Sequence, residues 1–484
     1  MVFLTNAPLV NGLTEYIKRN SISFHMPGHK GGRLLSEAFY ANLPKYDLTE
    51  VPGLDNLHAP AGIIREAQEL AARAFHSDAC FFLVNGSTSG IHIMMMAALK
   101  SGDRVIIPRN CHKSVWGGLI LSGARPIFLQ PEYDGEKDLF THVSPDNVHK
   151  AVQDHPDAAG MVLTNPDYYG LCPQLEAIGR ILAERGMKLL VDEAHGAHMI
   201  FHPDLPPSAA YCGADLWVQS AHKTLPALTQ ASYLHYKAHN SRDKLLIERA
   251  VQLHRLLQST SPSYLLMASL DFARAYMEEH GKEALDNLLE NLIWVRKELG
   301  ALGIDTMEDY CRPEIYGSDK TRLVLDVSGL GLTGPEGEEY LRSAGIQAEM
   351  SDLHRIVLIC SIADKQEDFL RLIDACKNMS REARLNKKNT GNYEWKLSIS
   401  REIPKQMLSP KEALEKKKEF IPLSRGAGRI CGEPVGIYPP GIPRFYPGEL
   451  IDKDGVEELM EYRRKGCSLF GLTRDGNLSV IIDD

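Results

Sequence analysis

No apolar run in this 484-residue chain approaches the ~18 to 20 residues that a bilayer-spanning helix needs, so no transmembrane segment is expected. The opening Met1-Val2-Phe3-Leu4-Thr5-Asn6-Ala7-Pro8 lacks a basic leader and a long apolar stretch, and no secretory signal is expected there. Cysteine spacing for disulfide or zinc chemistry is also missing. The nine cysteines (Cys80, Cys111, Cys172, Cys212, Cys311, Cys360, Cys376, Cys431 and Cys467) form no CxxC motif and no zinc-spaced Cys/His pair. An odd number in so long a chain points to reduced thiols, with neither a structural disulfide nor a metal site. Nor is there excess positive charge. A net charge of −9 speaks against nonspecific nucleic-acid binding and is compatible with a cationic small-molecule ligand. No repeat of solenoid period is present. What remains is a cytoplasmic globular protein, 44% hydrophobic and 24% charged, without a nucleic-acid or membrane partner.

The hydrophobic pattern alternates helix and strand from about residue 62. A helix near Ile63 to Phe75 precedes a strand Cys80 to Val84, then a helix after Ser87 and a strand Arg104 to Pro108. Strands follow at Pro126 to Gln130, Gly160 to Thr164, Lys188 to Asp192, Leu216 to Gln219 and Ser232 to Tyr236. Such alternation predicts an α/β fold with a mostly parallel sheet covered by helices. Long helical patterns run from Arg242 to Leu257 and from Tyr264 through Leu302, with a break expected near His280-Gly281. Residues 321 to 383 read as strand, helix, two strands and helix, a small α+β domain. The polar run Arg381 to Asn392 reads as an exposed connector. The expected division is an N-terminal arm at 1–60, a large domain at 61–305, a small domain with connector at 306–392, and a C-terminal domain at 393–484.

Chemistry concentrates where these strands end. Asp192 closes the apolar run Met187-Lys188-Leu189-Leu190-Val191, so its carboxylate emerges where open α/β sheets place ligands. About thirty residues later, Ser220-Ala221-His222-Lys223 sets a lysine among short polar groups and next to the apolar Leu225-Pro226-Ala227-Leu228. A lysine in such surroundings can lose its proton and form a Schiff base, and a carboxylate can keep a pyridine nitrogen protonated. The pair suits pyridoxal 5'-phosphate (PLP). Asn85-Gly86-Ser87-Thr88-Ser89-Gly90 lies between a strand and a helix, where free N–H groups and hydroxyls can cradle a phosphate. His112, just past the strand ending at Pro108, is placed to stack on the ring. Two other segments stand out: His25-Met26-Pro27-Gly28-His29-Lys30-Gly31-Gly32, and the hydroxyl-rich Gln258-Ser259-Thr260-Ser261-Pro262.

In this order, and with Tyr438-Pro439-Pro440-Gly441-Ile442-Pro443 near the end, the segments resemble the Orn/Lys/Arg decarboxylases of the PLP fold-type-I, aspartate aminotransferase-like superfamily. The resemblance covers most of the chain. It implies that Lys223 carries the cofactor, Asp192 pairs with the pyridine nitrogen, His112 stacks on the ring, and Ala194 packs beneath it. Ser87, Thr88, Ser220 and His222 would hold the phosphate, while Thr260 and Ser261 would reach a neighbouring subunit's site, making at least a homodimer. His195, counted with the cofactor residues, stands where long enterobacterial members carry tryptophan; the chain is similar to the shorter Bacillus-type members. By position in the family Glu433 is the candidate for a basic substrate's distal cation, with His29 and Lys30 as further substrate contacts.

The activity so implied is PLP-dependent decarboxylation of a basic amino acid, with arginine to agmatine first and lysine or ornithine as alternatives. Lys223 and His222 both remain open as the acid that protonates the α-carbon. Transamination or another α-carbon reaction shares the same cofactor residues. A catalytically silent binding protein is disfavoured by the joint presence of Lys223, Asp192 and His112.

Overall fold

Successive residues of the central strands fill opposite faces of one sheet, which is why those strands read as unbroken apolar runs. Leu189 and Val191 join Met161, Leu163 and Trp217 on one side. Leu190 joins Val162, Leu216 and Val218 on the other. The computed structural model describes residues 6–239, 244–308, 310–385, 402–437, 442–464 and 468–482. Seven strands form the large sheet, in the order Ala79–Leu83, Ser232–Tyr236, Leu216–Gln219, Lys188–Asp192, Ala158–Thr164, Arg104–Pro108 and Arg125–Leu129. Only Ser232–Tyr236 runs against the others, pairing antiparallel with both neighbours. Parallel register sets Asp192 opposite both Val218 and Thr164, so the segments leaving these strands start side by side.

Three sequence expectations are corrected. The break expected near His280-Gly281 does not occur, because one helix runs Tyr264–Ala301 through a buried Gly281. Glycine costs a helix about 1 kcal/mol, and the packing of Met277, Leu285, Leu288 and Leu292 into the core outweighs it. Residues 381–385, expected in a connector, are the last turns of the helix Gln366–Leu385, whose buried Phe369, Leu372, Cys376 and Met379 carry it onward. The remainder of that connector lies outside the described residues. The first of the two strands expected after the helix of the small domain is two short pieces, Ile346–Ala348 and Met350–Ser351. The first pairs parallel with Ile22–Phe24 of the N-terminal arm instead of joining the small sheet, so the arm is tied to the small domain.

The small sheet holds Arg322–Asp326, Arg355–Ile359 and Met350–Ser351, all antiparallel. A further two-stranded sheet pairs Leu171–Pro173 antiparallel with Ile315–Ser318. The C-terminal part builds its own core around Cys431, Val435, Phe445, Leu459 and Val480. No helix among the described residues is long and apolar enough to cross a membrane.

Candidate active site

Asp192 and Lys223 meet at the carboxyl ends of adjacent parallel strands. The Asp192 carboxylate, 3% exposed, accepts a hydrogen bond from the Ala194 amide at 3.1 Å. Lys223 lies in the short helix Ala221–Thr224 that begins directly after the next strand. Burial pushes its pKa down, Arg322 adds to that, and Asp192 and Glu349 oppose it. Its Nζ sits 2.9 Å from His195 Nε2 and 5.9 Å from the centre of the Tyr168 ring. Beside it, the Ser220 hydroxyl is buried with no partner among the described residues.

Four histidines surround this point. His112 Nδ1 accepts from the Ser114 amide at 3.2 Å, fixing the ring as the cap of the helix Lys113–Ser122. Burial lowers its pKa, with Lys223 and Lys113 adding to that and Asp192 opposing. His222 Nδ1 donates to the Ala231 carbonyl at 3.0 Å, and burial takes its pKa down to about 4. Its ring is therefore neutral near pH 7, with the proton already committed at Nδ1. His195 is 4% exposed and held well below the ordinary histidine range by burial and by the charges of Lys223 and Arg322. His29 acts on His222 electrostatically from the N-terminal turn.

That turn is built against the lysine helix. The Gly28 amide donates to the His222 carbonyl at 2.8 Å, and a Cβ on Gly28 would lie 2.7 Å from the Leu225 carbonyl oxygen. Glycine is required here by close approach. Lys30 is 3% exposed and spends its ammonium on the His25 and Ile359 carbonyls at 2.9 and 2.7 Å. Those bonds tie the turn to the small sheet. His29 Nδ1 accepts from the Gly32 amide at 2.8 Å.

The other expected residues are more open. Ser87 is half-buried and Thr88 exposed in the first turn of the helix Gly86–Ala98, whose N–H groups and dipole favour an anion. Thr260, Ser261 and Glu433 are exposed. Ala194 is buried at 6%. Residues Tyr438 to Gly441 lie outside the described residues.

The description "Orn/Lys/Arg decarboxylase, major domain" matches residues 7–321, and "Orn/Lys/Arg decarboxylase, C-terminal domain" matches residues 396–468. The chain belongs to the Orn/Lys/Arg decarboxylase family. It is 38% identical to an arginine decarboxylase of Bacillus subtilis over 98% of this chain and 97% of that one. To lysine decarboxylase LdcA of Pseudomonas aeruginosa it is 26% identical, over 94% of this chain and 75% of the relative. In fold it is similar to Francisella novicida lysine decarboxylase LdcF, with a TM-score of 0.79 at 22% identity across all of this chain and 79% of that one. Family membership makes the protein an amino-acid decarboxylase, and its large domain has the PLP fold-type-I architecture.

Sequence reasoning missed four contributors to this family site. Arg322, 4% exposed, points Nη2 at His195 Nδ1 from 3.3 Å. A charged residue opening the apolar strand Arg322-Leu323-Val324-Leu325 was the available signal. Glu349 brings a second carboxylate within electrostatic reach of Lys223 and His25, and accepts from the Met26 amide at 3.2 Å. Gln258 accepts from the Val84 amide at 2.9 Å and donates to Ser89 at 2.9 Å, bracing the phosphate-type loop. Arg109 pairs with Glu449 of the C-terminal part, three residues before His112. None of these pairings follows from sequence spacing.

Proposed function

We propose that the protein decarboxylates L-arginine to agmatine and carbon dioxide with PLP as its cofactor. The convergence of Lys223, Asp192, His112 and the unpartnered Ser220 hydroxyl at the ends of one parallel sheet carries this reading. The full-length similarity to Bacillus proteins named arginine decarboxylase supports the choice of substrate. The residues present suit the cofactor. Ser220 offers a buried hydroxyl that a phosphate would satisfy, the helix beginning at Gly86 offers N–H groups, and Asp192 offers a buried carboxylate for a pyridinium. When bound, PLP supplies the electron sink for the pair released as the α-carboxylate leaves.

The chain's own groups divide the remaining work. Lys223, whose pKa burial lowers, would hold the cofactor aldehyde through its amine and would be the group to carry a proton to the α-carbon. His222 is the poorer acid, since its one proton is bonded to the Ala231 carbonyl. His112 would cover the cofactor ring, and Ala194 and His195 lie beside Asp192 and Lys223. We assign the distal guanidinium to Glu349 ahead of Glu433, because Glu349 acts on Lys223 directly while Glu433 is exposed. The exposed Thr260 and Ser261, and the exposed apolar stripe Leu9, Val10, Leu13 and Ile17, support pairing with a second copy.

The test is incubation of the purified protein with PLP and, separately, arginine, lysine and ornithine, with products identified by mass spectrometry. Agmatine is expected. Cadaverine or putrescine would reassign the substrate, and a keto acid without carbon dioxide would overturn the decarboxylase reading. Borohydride reduction with PLP should place the cofactor on the Lys223 peptide.

A further inference from the structure

We infer that Arg322 sets the protonation of Lys223 through His195, holding the lysine as a neutral amine ready to attach the cofactor. The inference rests on Lys223 being the cofactor lysine. It follows from donor and acceptor counting along one line of three groups. A guanidinium has only donors, so its Nη2, 3.3 Å from His195 Nδ1, requires the lone pair on that nitrogen. A neutral imidazole with Nδ1 accepting carries its proton on Nε2. That Nε2 lies 2.9 Å from Lys223 Nζ. An N–H there can be accepted only by an amine with a free lone pair, and an ammonium has none.

The surroundings keep the line in this sense. His195 is 4% exposed and packs against Tyr168, with ring centres 4.8 Å apart, so water has little access to reverse its tautomer. Arg322 is itself 4% exposed and crosses Gly170, where a Cβ would lie 2.8 Å from its own Cβ. Its Nε and Nη1 have no partner among the described residues, leaving His195 as the group its side chain bonds. Asp319 and Asp167 lie within electrostatic reach of its charge. Around Lys223, Asp192 and Glu349 favour the ammonium, whereas burial and Arg322 favour the amine. His112 and His222 also act electrostatically on His195, and burial lowers both of their pKa values.

Lys223 is therefore the reactive partner, His195 the polar connector and Arg322 a positioning residue that acts through His195. The experiment reads the lysine before cofactor is added. The full-length apoprotein is treated with an acetylating ester across a pH series, and acetylation of the Lys223 peptide is timed by mass spectrometry.

Below the midpoint of the profile, Arg322→Met should slow acetylation about tenfold, equivalent to one pH unit in the titration. His195→Phe keeps the arginine's charge but removes the connector, and should slow it in the same direction. The double variant should be no slower than Arg322→Met, because both changes cut one line. His195→Gln should retain the parent profile, since one amide can accept from arginine and donate to lysine. An unchanged rate in His195→Phe, or multiplying effects in the double variant, would overturn the inference. The borohydride mapping stays separate: PLP found on another lysine defeats the cofactor assignment, whereas PLP on Lys223 with unshifted profiles defeats only the relay.

Discussion

Replacing Glu449 by alanine should destabilise the protein by about 3 to 5 kcal/mol, the usual cost of leaving one partner of a buried ion pair alone. Glu449 is 0% exposed and Arg109 5%. The carboxylate takes Nη1 and Nη2 of Arg109 at 2.5 and 3.1 Å and also accepts from the Tyr446 amide at 2.8 Å. The guanidinium lies 5.0 Å from the ring centres of both Phe128 and Tyr446, so it has no route to water once its partner is gone. Tyr446 extends the join by donating to the Arg109 carbonyl at 3.0 Å and by stacking on Trp116 at 5.0 Å. Urea unfolding followed by tryptophan fluorescence reads this, since Trp116 reports the joint itself. The double change Arg109→Met with Glu449→Leu should recover most of the loss, because an apolar pair of similar volume needs no charge compensation. A loss below about 1 kcal/mol in Glu449→Ala, or a double variant as weak as the single, would refute the argument.

Other outcomes follow from single contacts. Ser220→Ala should weaken PLP binding about tenfold in a cofactor titration, since one charge-assisted hydrogen bond is worth about 1.5 kcal/mol; unchanged affinity would remove Ser220 from the phosphate site. Gly28→Ala should lower kcat/KM at least about tenfold, because its Cβ meets the Leu225 and Thr224 backbone at 2.7 and 2.8 Å and must push the lysine helix aside. Gly31→Ala, with open space but a φ of +69°, should cost only about 1 kcal/mol of stability and leave turnover intact. His235 and His254 are 0% and 3% exposed, with pKa values lowered by burial to about 3 and about 4. Unfolding lets both take up protons below their ordinary value of about 6.5, so stability should fall with pH between about 6.5 and 4, by up to about 1.4 kcal/mol per pH unit for each. His235→Gln should flatten that slope in urea titrations, and an unchanged slope would show that His235 is not held neutral.

Local pattern alone located the large sheet. The strands Arg104–Pro108, Lys188–Asp192, Leu216–Gln219 and Ser232–Tyr236 were readable to the residue, because strands buried on both faces of a covered sheet are apolar along their length and end sharply at polar loops. Asp192 at the end of one such run, and His112 and Lys223 in the segments just after two others, stood out in the sequence for the same reason. The His25 to Gly32 turn was visible as unusual, but its purpose was not. Nothing in the sequence announced that Lys30 bonds the Ile359 carbonyl, 329 positions away.

What only the tertiary structure decided is everything that depends on groups distant in the chain coming within hydrogen-bond reach. Arg322 and His195 are 127 residues apart, and Arg109 and Glu449 are 340 apart. Gly281 shows the same limit in the backbone, since its intrinsic cost was outweighed by a core assembled from other elements. The chain's periodicity determined which residues stand at strand ends, because burial and hydrogen-bond geometry act locally. Which proton sits on which nitrogen there was decided by the long-range packing that set a guanidinium against His195.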